Sequence, residues 1–240
     1  MTTILVTRPG GANDALVTAL TERGYGVVAV PTAATETLTV HRESLRGFDW
    51  IVVTSAAGVA ALPELPASSR YAAVGPATAA ALDARGVRAE VVPEHSDGAA
   101  LAEALPEPAG KRVLLARAEM AATDLPDRLR ELGAEVVELA VYRTVEGPRG
   151  SRQPLAAAQS RSGLGRSGLA AAVFASGSAI RGYLALGGDP HLPAVTIGPR
   201  TTEVARAAGM NVIGEAVEQS TRSLAAAVAA AVPLEVVKDA

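Results

Sequence analysis

The sequence predicts an α/β protein built from two doubly wound parallel sheets, and three observations support this prediction. Short apolar runs alternate with helical stretches along the 240 residues. A buried-strand, small-polar-turn and helix pattern at residues 50–58 returns at residues 172–180. A second pattern, beginning at Ile4, returns at Val113 with a constant offset of 109 residues. Because solenoid repeats are only about 20 to 50 residues long, this period indicates paired domains.

The strands and helices follow one another in an order typical of parallel crossovers. Strands are predicted at residues 4–7, 27–30, 50–54, 71–74, 90–92, 113–116, 136–140, 171–174, 195–197 and 212–213. Helices are predicted at residues 13–23, 78–85, 98–105, 125–132, 202–208 and 221–232, where apolar residues recur with helical spacing. Gly24, Gly86 and Gly133 each follow a polar or basic turn and are predicted to end helices.

Composition excludes several classes of protein. The sequence is 49% hydrophobic but only 3% aromatic, which favours Ala-, Val- and Leu-rich cores of the parallel-sheet kind. The absence of cysteine excludes disulfides, thiolate metal sites and cysteine nucleophiles. A net charge of −3 argues against a dedicated nucleic-acid binder. The three histidines share no spacing with carboxylates, so no metal site is expected.

The chain is expected to be a cytoplasmic protein with no membrane segment. Arg8 and Pro9 interrupt the first apolar run, so the N-terminus does not have the pattern of a signal peptide. The Ala-rich run at residues 224–232 is much shorter than the roughly 20 residues that cross a bilayer.

An arginine-rich stretch lies between Tyr142 and Gly168. Its charged residues are Arg143, Arg149, Arg152, Arg161 and Arg166, against the single acid Glu146. It is interpreted either as a solvated loop or as a guide for an anionic ligand. Residues 159–168 are small and polar and are expected to be mobile. Gly163, Gly165 and Gly168 match a dinucleotide fingerprint, but no strand precedes them, so dinucleotide binding is not expected.

Four turns follow predicted strands and open predicted helices, which makes them candidate anion sites. Backbone N–H groups in a first helical turn lack partners within the helix, and the helix dipole favours an anion there. The candidate residues in these turns are Ser55, Gly75, Thr78, Ser176, Gly177, Ser178, Gly198, Thr201 and Thr202. Helix capping alone is an equally open interpretation of the same residues.

Three further side chains stand at the ends of predicted strands. Arg8 and Arg117 occupy equivalent places after the first strand of each repeated pair. A guanidinium there can bind a carboxylate, although a surface ion pair is an equally open interpretation. Tyr142 also follows a strand and is a candidate weak acid, with packing as the alternative.

Six short motifs occur in register over almost all of residues 1–232: residues 5–9, 49–55, 74–79, 141–144, 173–176 and 197–201. Together they resemble the uroporphyrinogen-III synthase family. The resemblance implies two flavodoxin-like domains joined by a two-stranded linker, with the active-site cleft between them. Domain one would comprise residues 1–33 and 147–240, and domain two residues 36–142, with crossings near 32–37 and 142–146. Three positions depart from the family's usual residues: Ala57, Ala175 and Arg200.

The resemblance also implies a reaction in haem biosynthesis. A lyase of this family closes the linear tetrapyrrole hydroxymethylbilane into uroporphyrinogen III, losing water and inverting ring D through a spiro intermediate. No cofactor or metal is implied. The substrate carries eight carboxylates, which would bind to the four turns and to the two strand-end arginines. Tyr142 would assist departure of the hydroxyl, and Ser55, Thr78, Ser176 and Thr201 would bind carboxylates or the macrocycle.

Two other functions remain open at this point. A non-catalytic protein of the same fold would bind a tetrapyrrole or another anion, and a two-lobed protein of the periplasmic binding type would bind an unrelated ligand. The presence of Arg8 and Tyr142 favours the enzyme over the first alternative. A monomer is expected, with the substrate as partner and a transient contact with the preceding deaminase, and without nucleic acid.

Overall fold

The computed structural model describes residues 1–10, 14–160 and 168–234. Its strands are β1 Thr3–Val6, β2 Gly26–Ala29, β3 Ala33–Thr37, β4 Trp50–Val53, β5 Arg70–Ala73, β6 Arg112–Ala118, β7 Glu135–Glu146, β8 Leu169–Phe174, β9 Ala194–Thr196 and β10 Val212–Glu215. Its helices are α1 Ala15–Thr21, α2 Ala56–Ala61, α3 Pro76–Asp83, α4 Gly98–Ala104, α5 Asp124–Glu131, α6 Arg152–Ser160, α7 Gly177–Ala185, α8 Pro199–Ala207 and α9 Thr221–Ala231. The chain divides into unit 1, Met1–Ala34 with Val145–Ala240, and unit 2, Thr35–Thr144.

Unit 1 is built on a five-stranded sheet with the order β2-β1-β8-β9-β10. All of its neighbouring strands are parallel. In chain order within the unit these strands are second, first, third, fourth and fifth, which is the flavodoxin-like order. In such a sheet the strand order reverses between β1 and β8, and ligands bind outside the carboxyl ends of the strands there.

Unit 2 repeats this topology with its strands in a different chain order. Its sheet has the order β3-β7-β6-β4-β5, and Val91 adds one parallel bridge to Ala72 beyond β5. The strands β7, β6, β4 and β5 therefore correspond to β2, β1, β8 and β9 of unit 1. The equivalence of Ile4 with Val113 falls on β1 and β6. The predicted pair of doubly wound parallel sheets is confirmed.

Apolar side chains fill both faces of each sheet, because alternate residues of a strand point to opposite sides. In β1, Leu5 packs in one cluster with Phe174. Ile4 and Val6 pack in another cluster with Leu16. The corresponding alternation in unit 2 places Ile51 in one layer and Trp50 in the other. Full burial of such a side chain contributes about 1.5–3 kcal/mol, so these layers hold each unit together.

Helix boundaries follow from local chemistry at both ends. Five helices begin at a side chain that accepts a backbone N–H of the first turn: Asp14, Ser55, Asp97, Ser176 and Ser220. The predicted helix-ending glycines are confirmed, since Gly24, Gly86 and Gly133 have φ angles of 89°, 77° and 84°. Over the described residues, no helix has the length and hydropathy that crossing a membrane requires.

The structure differs from the sequence predictions about the elements at three places. Residues 90–92 form a single bridge at Val91 instead of a strand. Strand β3 has no counterpart among the predicted apolar runs, because most of its side chains are exposed and polar; it lies within the crossing at 32–37 that the family resemblance implied. The loop interpretation of the arginine-rich stretch does not hold for two of its parts, because Arg143 lies in β7 and residues 152–160 form α6. Residues 161–167 of that stretch lie outside the described residues, as does the dinucleotide-like motif except for Gly168.

Candidate functional site

The carboxyl edge of each sheet carries the predicted site residues, and each unit has a cavity there. In unit 2 the cavity measures about 280 Å³. Its lining includes Thr54 after β4 and Arg117 near the end of β6, the two strands between which the strand order reverses. Asp97 and Asp124 lie on the same wall, so this cavity has carboxylates as well as a cation.

The structure brings Ser55 and Tyr142 together at the carboxyl edge of unit 2. The Ser55 hydroxyl donates a 3.0 Å hydrogen bond to the Tyr142 phenol oxygen. The same Ser55 oxygen accepts the backbone N–H of Gly58 at 3.0 Å and so begins α2. Tyr142 is half-buried, with its ring against the core layer that contains Val53. The phenol oxygen is therefore held by a donor, and no described residue accepts the phenol's own proton.

The hydroxyl groups of the other three tyrosines are engaged in hydrogen bonds within the fold. Each donates its hydroxyl proton to a fixed acceptor: Tyr25 to Val232, Tyr71 to Pro66 and Tyr183 to Asp189. Burial raises the pKa of Tyr71 to about 12 and also raises the pKa of Tyr25 and of Tyr183. These three side chains are therefore poor proton donors, which leaves Tyr142 as the candidate acid among the four tyrosines.

Arg117 is held by contacts within unit 2. Its guanidinium forms a 2.9 Å ion pair with Glu138 and also donates to the backbone oxygen of Ala122. The Arg117 side chain is only 7% exposed, whereas that of Glu138 is 39% exposed. The arginine ties the loop before α5 to β7, and a substrate carboxylate would have to compete with Glu138 for it.

Gly75 and Thr78 shape the start of α3. A Cβ atom at Gly75 would lie 2.4 Å from the Ser96 hydroxyl oxygen, so a larger residue does not fit without movement. Thr78 lies in the first turn and is 4% exposed. Any contact of Thr78 with a ligand is therefore confined to a small part of its surface.

In unit 1, Arg8 follows β1 and contacts two neighbouring helices. Its guanidinium donates a 2.9 Å hydrogen bond to Thr221 and lies 3.3 Å from the Asp14 carboxylate. Asp14 is 8% exposed and also caps α1. Arg8 retains 28% exposure, so it has both a structural partner and an accessible face.

The second cavity, of about 290 Å³, lies at the carboxyl edge of unit 1 where α7 and α8 begin. Its lining residues are Ala175, Ser176, Gly177, Ile197, Gly198, Arg200, Thr201 and Gln219. Ser176 caps α7 by accepting the backbone N–H of Ala179 at 3.2 Å, and its oxygen lies 2.9 Å from that of Ser178. The structure therefore joins four predicted site residues in one cavity: Ser176, Gly177, Gly198 and Thr201.

Thr202 lies away from this cavity wall. It is 3% exposed, and its hydroxyl lies 2.6 Å from that of Thr196. The same hydroxyl donates to the Glu215 carboxylate. A direct contact of Thr202 with a ligand would require it to leave these partners, and its role in binding stays a prediction.

Gln219 and Arg200 also line this cavity, although neither was predicted as a site residue from the sequence. A cation beside Thr201 in a helix's first turn was the available signal for Arg200, whereas nothing local indicates Gln219. Within the described ranges, no group of three or more His, Cys, Asp or Glu side chains is placed to hold a metal ion.

Comparison with known proteins gives consistent results. A curated protein of Synechococcus elongatus named uroporphyrinogen-III synthase is 30% identical over 159 residues, covering 59% of this chain and 60% of that protein. A protein of Ruminiclostridium josui named porphyrin biosynthesis protein HemD is 28% identical over 226 residues, covering 85% of this chain. The matched stretch spans only 44% of that second relative's length.

Solved structures show the same fold. A mutant uroporphyrinogen III synthase of Thermus thermophilus matches with a TM-score of 0.64 at 20% identity, over 98% of this chain and 100% of that one. The uroporphyrinogen-III synthetase of Helicobacter pylori matches with a TM-score of 0.63 at 16% identity, over 93% and 96% of the two chains. The family described as Uroporphyrinogen-III synthase HemD matches residues 14–226, so it covers most of both units. The chain belongs to the uroporphyrinogen-III synthase family.

Proposed function

We propose that this protein is a uroporphyrinogen-III synthase that closes hydroxymethylbilane into uroporphyrinogen III with inversion of ring D. The observation that carries this proposal is the family match over residues 14–226. The match includes Ser55 and Tyr142, which the structure joins by a hydrogen bond. No step of the proposed reaction requires electron transfer, so the side chains have to bind the substrate, orient it and move a proton.

Substrate binding is a problem of positioning many carboxylates. The helices α7 and α8 of unit 1 begin at the carboxyl edge of the sheet, where their N–H groups favour anions. Arg8 adds an accessible cation in the same unit. Hydroxymethylbilane also closes unaided to the type I isomer, so the enzyme must hold the geometry that leads to type III. Several weak anion contacts suit this task better than one strong one.

The proposed chemistry places one proton transfer on Tyr142. The phenol donates its proton to the departing hydroxyl, and water leaves as the C–O bond breaks. The resulting phenolate keeps the hydrogen bond from the Ser55 hydroxyl, which stabilises its charge. Ring D attacks the resulting cation through its substituted carbon, and the bond between that carbon and its original methylene bridge then breaks. The ring closes again, inverted, when the unsubstituted α-carbon of ring D bonds to that bridge. The carbon that forms the final bond loses a proton, which restores the phenol.

We further propose that the protein acts as a monomer in the cytoplasm and takes hydroxymethylbilane from the deaminase that makes it. The unaided closure of this substrate supports the transfer, because a short interval between release and capture limits the type I product. This transfer would raise the type III fraction when the two proteins are concentrated together.

The experiment that tests the proposed function makes hydroxymethylbilane in situ with a deaminase. This protein is added, the products are oxidised, and type I and type III porphyrins are separated by chromatography. We expect type III to predominate. Type I at the level found without this protein would overturn the proposal, and retained binding of the porphyrins would then identify a non-catalytic tetrapyrrole-binding protein.

A further inference from the structure

Arg200 occupies an electrostatically unfavourable position, and none of the described residues forms an ion pair that offsets it. It is the second residue of α8, directly after Pro199, and is exposed. A cation in the first turn is repelled by the positive end of the helix dipole. Within the described part of the chain, Arg200 forms no hydrogen bond or ion pair. An anion bound beside it would remove this repulsion.

The unit 1 cavity next to Arg200 has the chemistry to hold such an anion. None of its eight lining residues is acidic, in contrast to the unit 2 cavity with Asp97 and Asp124. Two helices of nine residues, α7 and α8, begin at its wall. Gln219 closes one side, with its amide nitrogen 3.4 Å from where a Cβ atom of Gly198 would lie.

Thr201 provides an observation that does not depend on the helix ends. It lines the cavity and is 6% exposed, yet its hydroxyl forms no hydrogen bond with any described residue. Among the described residues, every fully buried side-chain nitrogen or oxygen has a partner. The Thr201 hydroxyl must therefore reach the surface, and the surface on which this residue lies is the cavity. A nearly buried hydroxyl without a partner is available to a ligand.

We propose that Arg200 is a specificity-determining residue of this cavity: it is the cation that selects for a carboxylate of the tetrapyrrole, beside the free hydroxyl of Thr201. The assignment of the ligand as a tetrapyrrole carboxylate rests on the proposed function. The site itself rests on the unpaired arginine, the free hydroxyl and the absence of acidic lining. Arg200 thereby favours substrates that carry a carboxylate at this position.

The test measures binding of uroporphyrin III, with eight carboxylates, and coproporphyrin III, with four, by fluorescence titration. We expect Arg200→Gln to weaken uroporphyrin binding about 5- to 10-fold, as loss of one exposed charge-assisted contact would. Arg200→Lys should keep most of the affinity. The matched control is Arg206→Gln, which removes an exposed and unpaired arginine from the last turn of the same helix. It should change the affinity less than twofold.

Thermal unfolding without ligand supplies the second measurement. Here Arg200→Gln should improve the protein's stability, whereas it weakens uroporphyrin binding. Removing a cation from the first turn should raise the melting temperature of Arg200→Gln by about 1–2 °C, whereas Arg206→Gln should lower it slightly. Equal uroporphyrin affinity in Arg200→Gln and the unchanged protein would overturn the inference, even if the protein makes type III product. If Arg200→Gln selectively loses uroporphyrin affinity while the unchanged protein makes only type I product, the anion site is supported and the synthase function is rejected.

Discussion

Ser55 shows how a single side chain serves both the fold and the proposed chemistry. Its oxygen accepts the N–H that begins α2 while its hydroxyl proton is donated to Tyr142. Ser176 holds the equivalent cap in unit 1, but its second contact is the Ser178 hydroxyl. Both serines therefore cap a helix, but of the two only Ser55 contacts a tyrosine. This difference makes Ser55 a positioning residue for the phenol.

At this scale the first prediction concerns Tyr142. Tyr142→Phe removes the proposed proton donor but keeps the ring against the core, so turnover should fall roughly 10- to 100-fold. Affinity for uroporphyrin should change less than about threefold, because the phenol acts mainly on the departing hydroxyl. Initial rates and a fluorescence titration on the same variant separate the two quantities. Unchanged turnover would remove Tyr142 from the mechanism.

The second prediction tests the coupling of Ser55 to Tyr142. Ser55→Ala should lower turnover, and Ser55→Thr, which keeps the hydroxyl, should restore most of it. In a Tyr142→Phe background Ser55→Ala should have no further effect on turnover, because its action passes through the phenol. An equal loss in both backgrounds would mean that Ser55 acts on the substrate directly.

Ser220→Ala is the matched control for the capping contribution. Ser220 begins α9 by accepting the backbone N–H of Ser223 at 3.1 Å, and it has no tyrosine partner. Both alanine variants should lose about 1 kcal/mol of unfolding free energy from the missing cap. Only the Ser55 variant should lose turnover, as measured by urea denaturation and initial rates on the two proteins.

The sequence identified Ser55 and Tyr142 separately but not their contact, because 87 residues separate them. The same limit applies to Arg117, whose ion pair with Glu138 depends on the pairing of β6 with β7. A residue's type and its place at a strand end are local properties and were predictable. The partner that engages its polar atoms is set by tertiary structure, as the burial of Thr202 against Glu215 also shows.

Helix α7 packs closely against neighbouring backbone at Gly182. A Cβ atom at Gly182 would lie 1.8 Å from the backbone oxygen of Thr32 and 2.6 Å from the backbone nitrogen of Gly147. These two backbone atoms are themselves joined by a 2.9 Å hydrogen bond. The Thr32 hydroxyl also donates to the Ala179 oxygen of α7 at 2.7 Å. Helix α7 thus holds the two segments of unit 1 that contain Thr32 and Gly147, which are the segments next to the unit boundaries at Ala34 and Val145.

We therefore expect Gly182→Ala to lower the unfolding free energy by about 2–3 kcal/mol, despite the higher helix propensity of alanine. Gly150→Ala is the control, since a Cβ atom there would meet nothing within 4 Å. It should change stability by no more than about 0.5 kcal/mol. Urea denaturation of both variants checks this, and equal stability would show that α7 can move away at little cost.

Hydrophobic pattern predicted elements well where a strand or helix has a continuous buried face. It failed for β3, of which only Ala33 is buried, and for α6, where Leu155 and Ala158 are the only buried residues within a polar and charged segment. It also overstated the apolar run at residues 90–92, which contributes one bridge. Short elements at the edge of a sheet take their form from neighbours more than from their own apolar content.

The same sheet topology occurs in both units, but the chain forms the corresponding strands in a different order in each. Unit 2 is a continuous stretch, Thr35–Thr144, whereas unit 1 is formed by the two ends of the chain. Each unit has a five-stranded sheet with an apolar layer on both faces. A continuous segment with its own sheet and core meets the requirements for folding alone.

We expect a fragment of residues 35–144 to fold and to unfold in one cooperative transition in urea. Trp50 is the sole tryptophan of the sequence and is 1% exposed, so its fluorescence reports the core of this unit directly. A fragment of residues 35–118 is the control. It lacks β7, and with it the fully buried Val141, so the neighbouring strand β6 loses one of its two partners. The shorter fragment should show solvent-exposed Trp50 emission and no cooperative transition. If the longer fragment behaves in the same way, unit 2 depends on the rest of the chain for its stability.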